Sequence, residues 1–259
     1  MFSDSTFGGR RVATLSVLGL SAFLGIWWAA SLLSRGSFLP GPFDVAGTFF
    51  SLLQHPFAGA TLFGHMLASF GRFAGGFSLA VLIGIPLGLC AGWSRTFDGI
   101  ISPLFEATRF VSPIAWVAFA ALWFGTGIGG PLLIIFAGAF PPCFINAYRG
   151  AQHCDKKLIE AARMMGASPI KIVFHVLFPA SFPSIIAGVR VAAGMGWQSL
   201  VGAELIVASG GVGYMIVQAQ SSVRTAIVIA GMAAIGIVGF AMDYGLSQLE
   251  KAFSTNSRS

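Results

Sequence analysis

Residues 73–93 read FAGGFSLAVLIGIPLGLCAGW and contain no charged side chain. The hydrocarbon core of a bilayer is about 30 Å thick, so a helix that rises about 1.5 Å per residue needs about 20 mostly apolar residues to cross it. This run therefore predicts a transmembrane helix, kinked at Pro86. Its small residues Gly76, Gly84 and Gly88 favour the close approach of a neighbouring helix.

The same criterion predicts five further spans. Residues 12–33 form an apolar run longer than the roughly 7–15 residues of a cleaved signal peptide, so they predict a retained first span. Residues 103–148 are too long for one helix, and a glycine-rich break at 125–131 divides them into spans three and four. The last two spans and the polar, glycine-rich stretch between them are predicted at residues 182–207, 226–246 and 209–222.

The composition agrees with a membrane protein. Of the 259 residues, 56% are hydrophobic and 9% are charged, whereas a soluble domain carries about 25% charged residues. This argues against a soluble enzyme and against a disordered chain. The net charge is +6, but the basic residues are spread over the joints between apolar runs, unlike a nucleic-acid-binding surface. We expect an all-α membrane protein with about six transmembrane helices.

The basic residues also predict the orientation. Six spans place both termini on one side, and Lys and Arg are enriched in cytoplasmic loops. Two basic residues lie on the side opposite the termini, Arg35 and Arg224. Ten lie on the side of the termini: Arg10, Arg11, Arg95, Arg149, Lys156, Lys157, Arg163, Lys171, Lys251 and Arg258. Both termini are therefore predicted to be cytoplasmic, and residues 149–178 form the largest cytoplasmic loop.

That loop, between spans four and five, carries its own helix signals. Asp155 is typical of an N-cap, and Gly166 of the left-handed residue that ends a helix. Ser168 and Pro169 are typical of the N-cap and first position of a second helix. The two helices are predicted at residues 156–165 and 170–178.

Apolar residues of the first loop helix recur at the spacing of one face, at Leu158, Ala161, Ala162 and Met165. One interpretation is an amphipathic helix on the membrane surface, with its lysines and arginine toward lipid headgroups. The other is a helix whose small alanines allow it to lie deep in a groove of another protein.

The details of the loop resemble a known motif. Glu160-Ala161-Ala162, with Gly166 six residues after the glutamate and Pro179 at the end of the segment, resembles the EAA loop of permease subunits of ATP-binding-cassette importers. Two departures are Phe178, where leucine usually precedes the proline, and Ala118, where span three commonly has a proline.

The resemblance extends over residues 64–249. Segments at residues 39–42, 85–88, 122–125, 183–190 and 211–214 are similar to the branch that serves nitrate, bicarbonate, taurine and alkanesulfonates. It implies an N-terminal part over 1–63, a core transmembrane domain over 64–250 that contains the EAA loop at 149–178, and a cytoplasmic tail over 251–259.

The resemblance also implies partners. The loop helix would be a coupling helix that docks on a separate cytoplasmic ATPase, present in two copies, which binds ATP and Mg²⁺. This chain has no Gly-x-x-x-x-Gly-Lys-Ser/Thr phosphate loop, and we expect it to carry no cofactor, metal or catalytic residue. An external binding protein would deliver the substrate to a homodimer in the bacterial cytoplasmic membrane. The residues assigned to ATPase coupling are Glu160, Ala161, Ala162, Gly166, Ala167 and Pro179.

Ionisable and polar residues inside spans are candidates for the translocation pathway. Glu106 and Arg109 form either a local ion pair or part of that pathway. Gln198, beside Trp197, is a candidate for binding a small anion. Glu204 is a gate residue, an acceptor in helix packing, or a solvated residue near the outer end of span five. It is also the weak ion-site candidate of the main alternative function, an ion-coupled secondary transporter.

A membrane enzyme is a third class of function. It requires several polar side chains around one cavity, and the sequence contains no pattern that predicts such a group.

Overall fold

The computed structural model describes residues 9–34, 38–125 and 127–256. Three residues used in the predictions lie outside these ranges: Arg35 after the first span, Thr126 in the predicted break, and Arg258.

The described residues are helical and contain no named strand. The α-helices are α1 Gly9–Leu33, α2 Pro42–Gln54, α3 Leu62–Trp93, α4 Arg95–Thr108, α5 Trp116–Phe124, α6 Gly129–Gln152, α7 Lys156–Met164, α8 Pro169–Ile172, α9 Phe178–Ile206, α10 Val212–Ser221 and α11 Thr225–Asn256. A 3₁₀ turn, Pro113–Ala115, precedes α5, and a π turn, Val173–Leu177, joins α8 to α9.

Five helices of the described chain are long and apolar enough to cross a bilayer. A sixth span results if α4 and the segment Pro113–Phe124, which meet at a bend of 76°, count as one broken span. The prediction of an all-α membrane protein with about six spans is therefore confirmed. The third predicted span is not straight, because its helix breaks near Ser112.

Three helices form the centre of the molecule. A Cβ on Gly76 of α3 would lie 2.7 Å from Ile135 Cβ, and one on Gly92 would lie 2.6 Å from Ala151 Cβ, so α3 and α6 run parallel in constant register. Helix α9 runs antiparallel to α6. The predicted close approach at glycines of α3 is confirmed, since these positions have no room for a side chain.

The two ends of this bundle differ. The loop end carries α7, which follows the C-terminus of α6 after three residues. The far end carries α2 and α10, which share an apolar cluster with the starts of α3 and α11, and the cluster residues are Val45, Leu52, Leu62, Val212, Met215, Ile216, Ala219, Ile227, Ala230 and Ala234.

Several boundaries differ from the sequence predictions. Helix α3 begins at Leu62 rather than after Arg72, because Glu204 pairs with that arginine and its charge does not end the helix. The stretch 209–222 is not simply a loop, since it contains α10.

The predicted second loop helix is not separate. It continues into span five, so that one helix covers Pro169–Ile206, called the long helix below. Pro179 does not interrupt it because the π turn, which closes with the bond from Phe178 N–H to Val173 O, widens the helix just before the proline.

Candidate functional sites

Helix α7 at the loop end is closed at both termini by local hydrogen bonds. The Asp155 carboxylate accepts from Lys157 N at 2.9 Å, as an N-cap does. Gly166 has φ +78° and donates to Arg163 O at 2.9 Å, and Ala167 N donates to Ala162 O at 3.0 Å. These two bonds form a Schellman motif. The predicted cap and left-handed glycine are confirmed.

The faces of α7 differ from the predicted pattern. Ala162 is buried and Ala161 is half-buried, while Ile159 packs on a cluster that includes Leu89 and Leu177. Leu158 and Met165, predicted on the same face as the alanines, are exposed. The alanines and Ile159 therefore lie toward the bundle, whereas Leu158 and Met165 point away from it.

The outward side of α7 carries exposed apolar side chains among charged ones. Met164 is 83% exposed and Met165 82%, and Ile170 and Phe174 at the start of the long helix are exposed as well. Glu160 is exposed and lines a cavity of about 470 Å³ with Trp93, Lys156 and Arg163. Pro179 lies inside the long helix, just after the π turn, and is exposed.

Cys154 lies just before α7 and is buried. Burial raises the pKa of its thiol, and the neighbouring Asp155 charge adds to the effect. Among the described residues, no group of three or more His, Cys, Asp or Glu side chains could hold a metal ion.

A smaller cavity lies beside the break of the third span. It measures about 230 Å³ and is lined by Ser112, Pro113, Ile114, Ile134, Met195, Gln198, Ser199 and Gly202. The amide of Gln198 is exposed to this cavity. Trp197 is not: it is buried, and its indole N–H donates to Ile235 O at 3.1 Å, so it packs α9 against α11.

Glu106 and Arg109 form the predicted local ion pair, with Arg109 Nε 2.7 Å from Glu106 Oε2. Both side chains are substantially exposed. The pair lies at the end of α4, beside the helix break, rather than at the start of a span.

Glu204 is an acceptor in helix packing and is not solvated, since it is 2% exposed. Ser69 Oγ lies 2.8 Å from both carboxylate oxygens. Arg72 Nη1 donates to Oε1 at 2.8 Å, and Gly213 N donates to Oε2 at 3.0 Å. Three donors thus hold the carboxylate: the Ser69 hydroxyl, placed between both oxygens, and Arg72 from α3, and the Gly213 N–H from α10.

A second interhelical ion-pair group lies between α9 and α11. Arg190 makes bonds of 2.8 and 3.0 Å to the two oxygens of Asp243, and one of 3.0 Å to Glu250. The sequence interpretation assigned no partner to Arg72 or Arg190. A charged residue inside a span requires an oppositely charged partner, so the sequence predicts that Arg72 and Arg190 are paired. It does not identify the carboxylate that each of them meets.

These features place an exposed loop helix, capped at both ends, on a bundle of membrane spans, which is an arrangement that a known family shares. A profile of the family described as "Binding-protein-dependent transport system inner membrane component" matches residues 80–255. The chain belongs to this family. It is therefore a multi-pass inner-membrane permease subunit of an ATP-binding-cassette importer, as the resemblance of its loop predicted.

Relatives of the permease cover most of its length. It is 36% identical over 244 residues to the taurine transport system permease protein TauC of Escherichia coli, covering 93% of this chain and 89% of TauC. It is 32% identical to the nitrate import permease protein NrtB of Synechocystis, and the match covers 88% of this chain and 85% of NrtB.

A solved structure of the MetNI methionine ABC transporter, in an inward-facing conformation, matches with a TM-score of 0.66. The match covers 74% of this permease and 95% of that chain at 18% identity, which supports the fold.

Proposed function

We propose that this permease forms the pathway for a small oxyanion or organic sulfonate, delivered by an external binding protein and driven by a separate ATPase. The observation that carries the proposal is the outward face of α7, where capped backbone presents exposed Met164 and Met165. Exposed apolar patches of this kind mark protein interfaces. The relatives that transport taurine and nitrate support the substrate class.

The loop end faces the cytoplasm in this proposal. The distribution of Lys and Arg supports that orientation and places both termini on the same side. Two ATPase subunits bind ATP and Mg²⁺, and each docks on the α7 of one permease copy. A homodimer of the permease completes the pathway, since one chain with about six spans is too small to enclose a route.

The cavity beside the broken span is the proposed contact site for the substrate. Irregular backbone at membrane depth is tolerated where it lines a cavity or is buried in protein. Ser112 at the break and Gln198 on α9 provide neutral hydrogen-bond donors. Arg72, Arg109 and Arg190 are each paired with a carboxylate, and none of them lines this cavity, so we infer that a bound anion is held mainly by neutral donors.

The docking proposal is tested by a pair of glycine variants. Gly166 and Gly59 both have positive φ and open space around the Cβ position, but they lie at opposite ends of the molecule. We expect Gly166→Asp to abolish uptake and to release the ATPase during purification, while leaving the permease in the membrane. Gly59→Asp should retain both. Glu160→Arg, on the same helix as the docking face, should behave as Gly166→Asp does.

Normal uptake by Gly166→Asp and Glu160→Arg, with the ATPase still bound, would contradict the docking role of α7.

A further inference from the structure

The turn that leads into α10 fits closely around the Glu204 carboxylate. Gly211 has φ +104°, and a Cβ there would collide with the carboxylate. A Cβ on Gly213 would lie 2.6 Å from Glu204 Cβ. Ser69 Oγ also accepts from Val212 N at 2.9 Å, so the same cluster holds the first residues of α10.

The far end of α3 joins this attachment. Arg72 Nη1 bonds both Glu204 Oε1 and, at 2.6 Å, Gly210 O. The pair is almost fully enclosed, with side-chain exposures of 17% and 1%. The other ion pairs in the described chain are more exposed, and the pair of Glu106 and Arg109 lies within a single turn of chain. The Glu204 cluster thus links α3, α9 and α10.

The long helix connects this cluster to the loop end. It begins at Pro169, three residues after Gly166 at the end of α7, and reaches Ile206 without interruption. Its 38 residues span about 57 Å at the usual rise of a helix. A displacement at α7 that moves the long helix as a unit therefore also moves Glu204.

We propose that Glu204 is a positioning residue that transmits movement of the long helix to α10, so that the far end of the pathway responds to the ATPase. The bond to Gly213 N and the enclosed charge of Arg72 make the carboxylate the attachment point. This inference rests on the proposed coupling of α7 to an ATPase.

The test is hydrogen–deuterium exchange on the complex of the permease with its co-purified ATPase, with and without ATP and vanadate. In the unaltered permease, the nucleotide should change exchange at both α7 and α10. In Glu204→Gln, the response at α7 should remain, while the response at α10 falls about fivefold or more. Glu106→Gln makes the same change in an exposed ion pair and should retain both responses.

An α10 response in Glu204→Gln that equals that of the unaltered permease, or no α10 response in the unaltered permease, would overturn the inference. Failure of any ATPase to co-purify, or no response at α7, would instead overturn the proposed function.

If the Glu204→Gln permease does not accumulate in the membrane, the Ser69→Ala permease provides the test. It removes the hydroxyl between the carboxylate and Val212 N but keeps the ion pair. A reduced α10 response with a normal α7 response supports the inference, and an unchanged α10 response contradicts it.

Discussion

Gln198 and Ser199 are the polar residues of α9 that line the cavity at the broken span, and the Ser199 hydroxyl already donates to Met195 O. Hydrogen bonds from neutral donors to a charged ligand are worth about 1.5–3 kcal/mol. We therefore expect Gln198→Ala to raise the KM of uptake by about tenfold or more, with normal abundance in the membrane. Gln220→Ala, at the exposed end of α10, is the control. Unchanged KM and selectivity in Gln198→Ala would exclude a role in the pathway.

The local residue features of α7 could be predicted because they depend on nearby residues. The Asp155 cap and the left-handed Gly166 follow from residue types a few positions apart. The pairing of Arg72 with Glu204 joins residues 132 positions apart, and only the packing of α3 against α9 brings them together. Leu158 and Met165 share the predicted face with the alanines of α7 but are exposed, because periodicity identifies a face but not the surface that it meets.

The close packing of α3 and α6 predicts how a methyl group added at their contact changes the stability of the permease. A Cβ on Gly76 would lie 2.7 Å from Ile135 Cβ, whereas Gly71, in the same helix, has nothing within 4 Å. Gly76→Ala should destabilise the permease by about 1–3 kcal/mol, because the helices must separate. Gly71→Ala should be neutral or slightly stabilising, since alanine favours a helix. Thermal unfolding in detergent measures both, and equal melting temperatures would contradict this packing.

Helix α7 depends strongly on its N-cap because it has only nine residues, fewer than an isolated helix needs for stability. Asp155→Ala should cost about 1 kcal/mol of local stability and increase amide exchange in α7 about fivefold. Thr61→Ala removes the N-cap of α3, a helix of 32 packed residues, and should change exchange much less. Similar exchange in α7 with and without the Asp155 carboxylate would show that the cap does not stabilise it.

Apolar runs predicted which elements cross the membrane, but not where each helix begins or breaks. The charge of Arg72 predicts the boundary of a span, but a charge that is paired, as here with Glu204, is tolerated inside one. The break near Ser112 was not predicted because residues 103–124 read as one apolar run. Helix α10 was missed because its glycines and polar residues are typical of a loop, and its burial by α2, α3 and α11 stabilises it.

The orientation of the whole molecule predicts which positions a reagent can reach from outside the membrane. In a permease with Cys90, Cys143 and Cys154 replaced by alanine, a single cysteine is introduced by Gly59→Cys or by Gly166→Cys. A membrane-impermeant maleimide applied to intact spheroplasts should label position 59, while position 166 should react only after the membrane is opened. The reverse pattern would place the loop end outside and exclude docking on a cytoplasmic ATPase.

We propose that this permease moves its substrate by engaging an ATPase through α7. The most direct measurement is uptake of labelled taurine and nitrate into proteoliposomes that contain the complex purified through this chain, with its binding protein outside. We expect at least one of these anions to accumulate only with ATP on the loop side, and neither to accumulate with the Gly166→Asp permease. Accumulation by the permease alone, driven by an ion gradient without ATP, would contradict it.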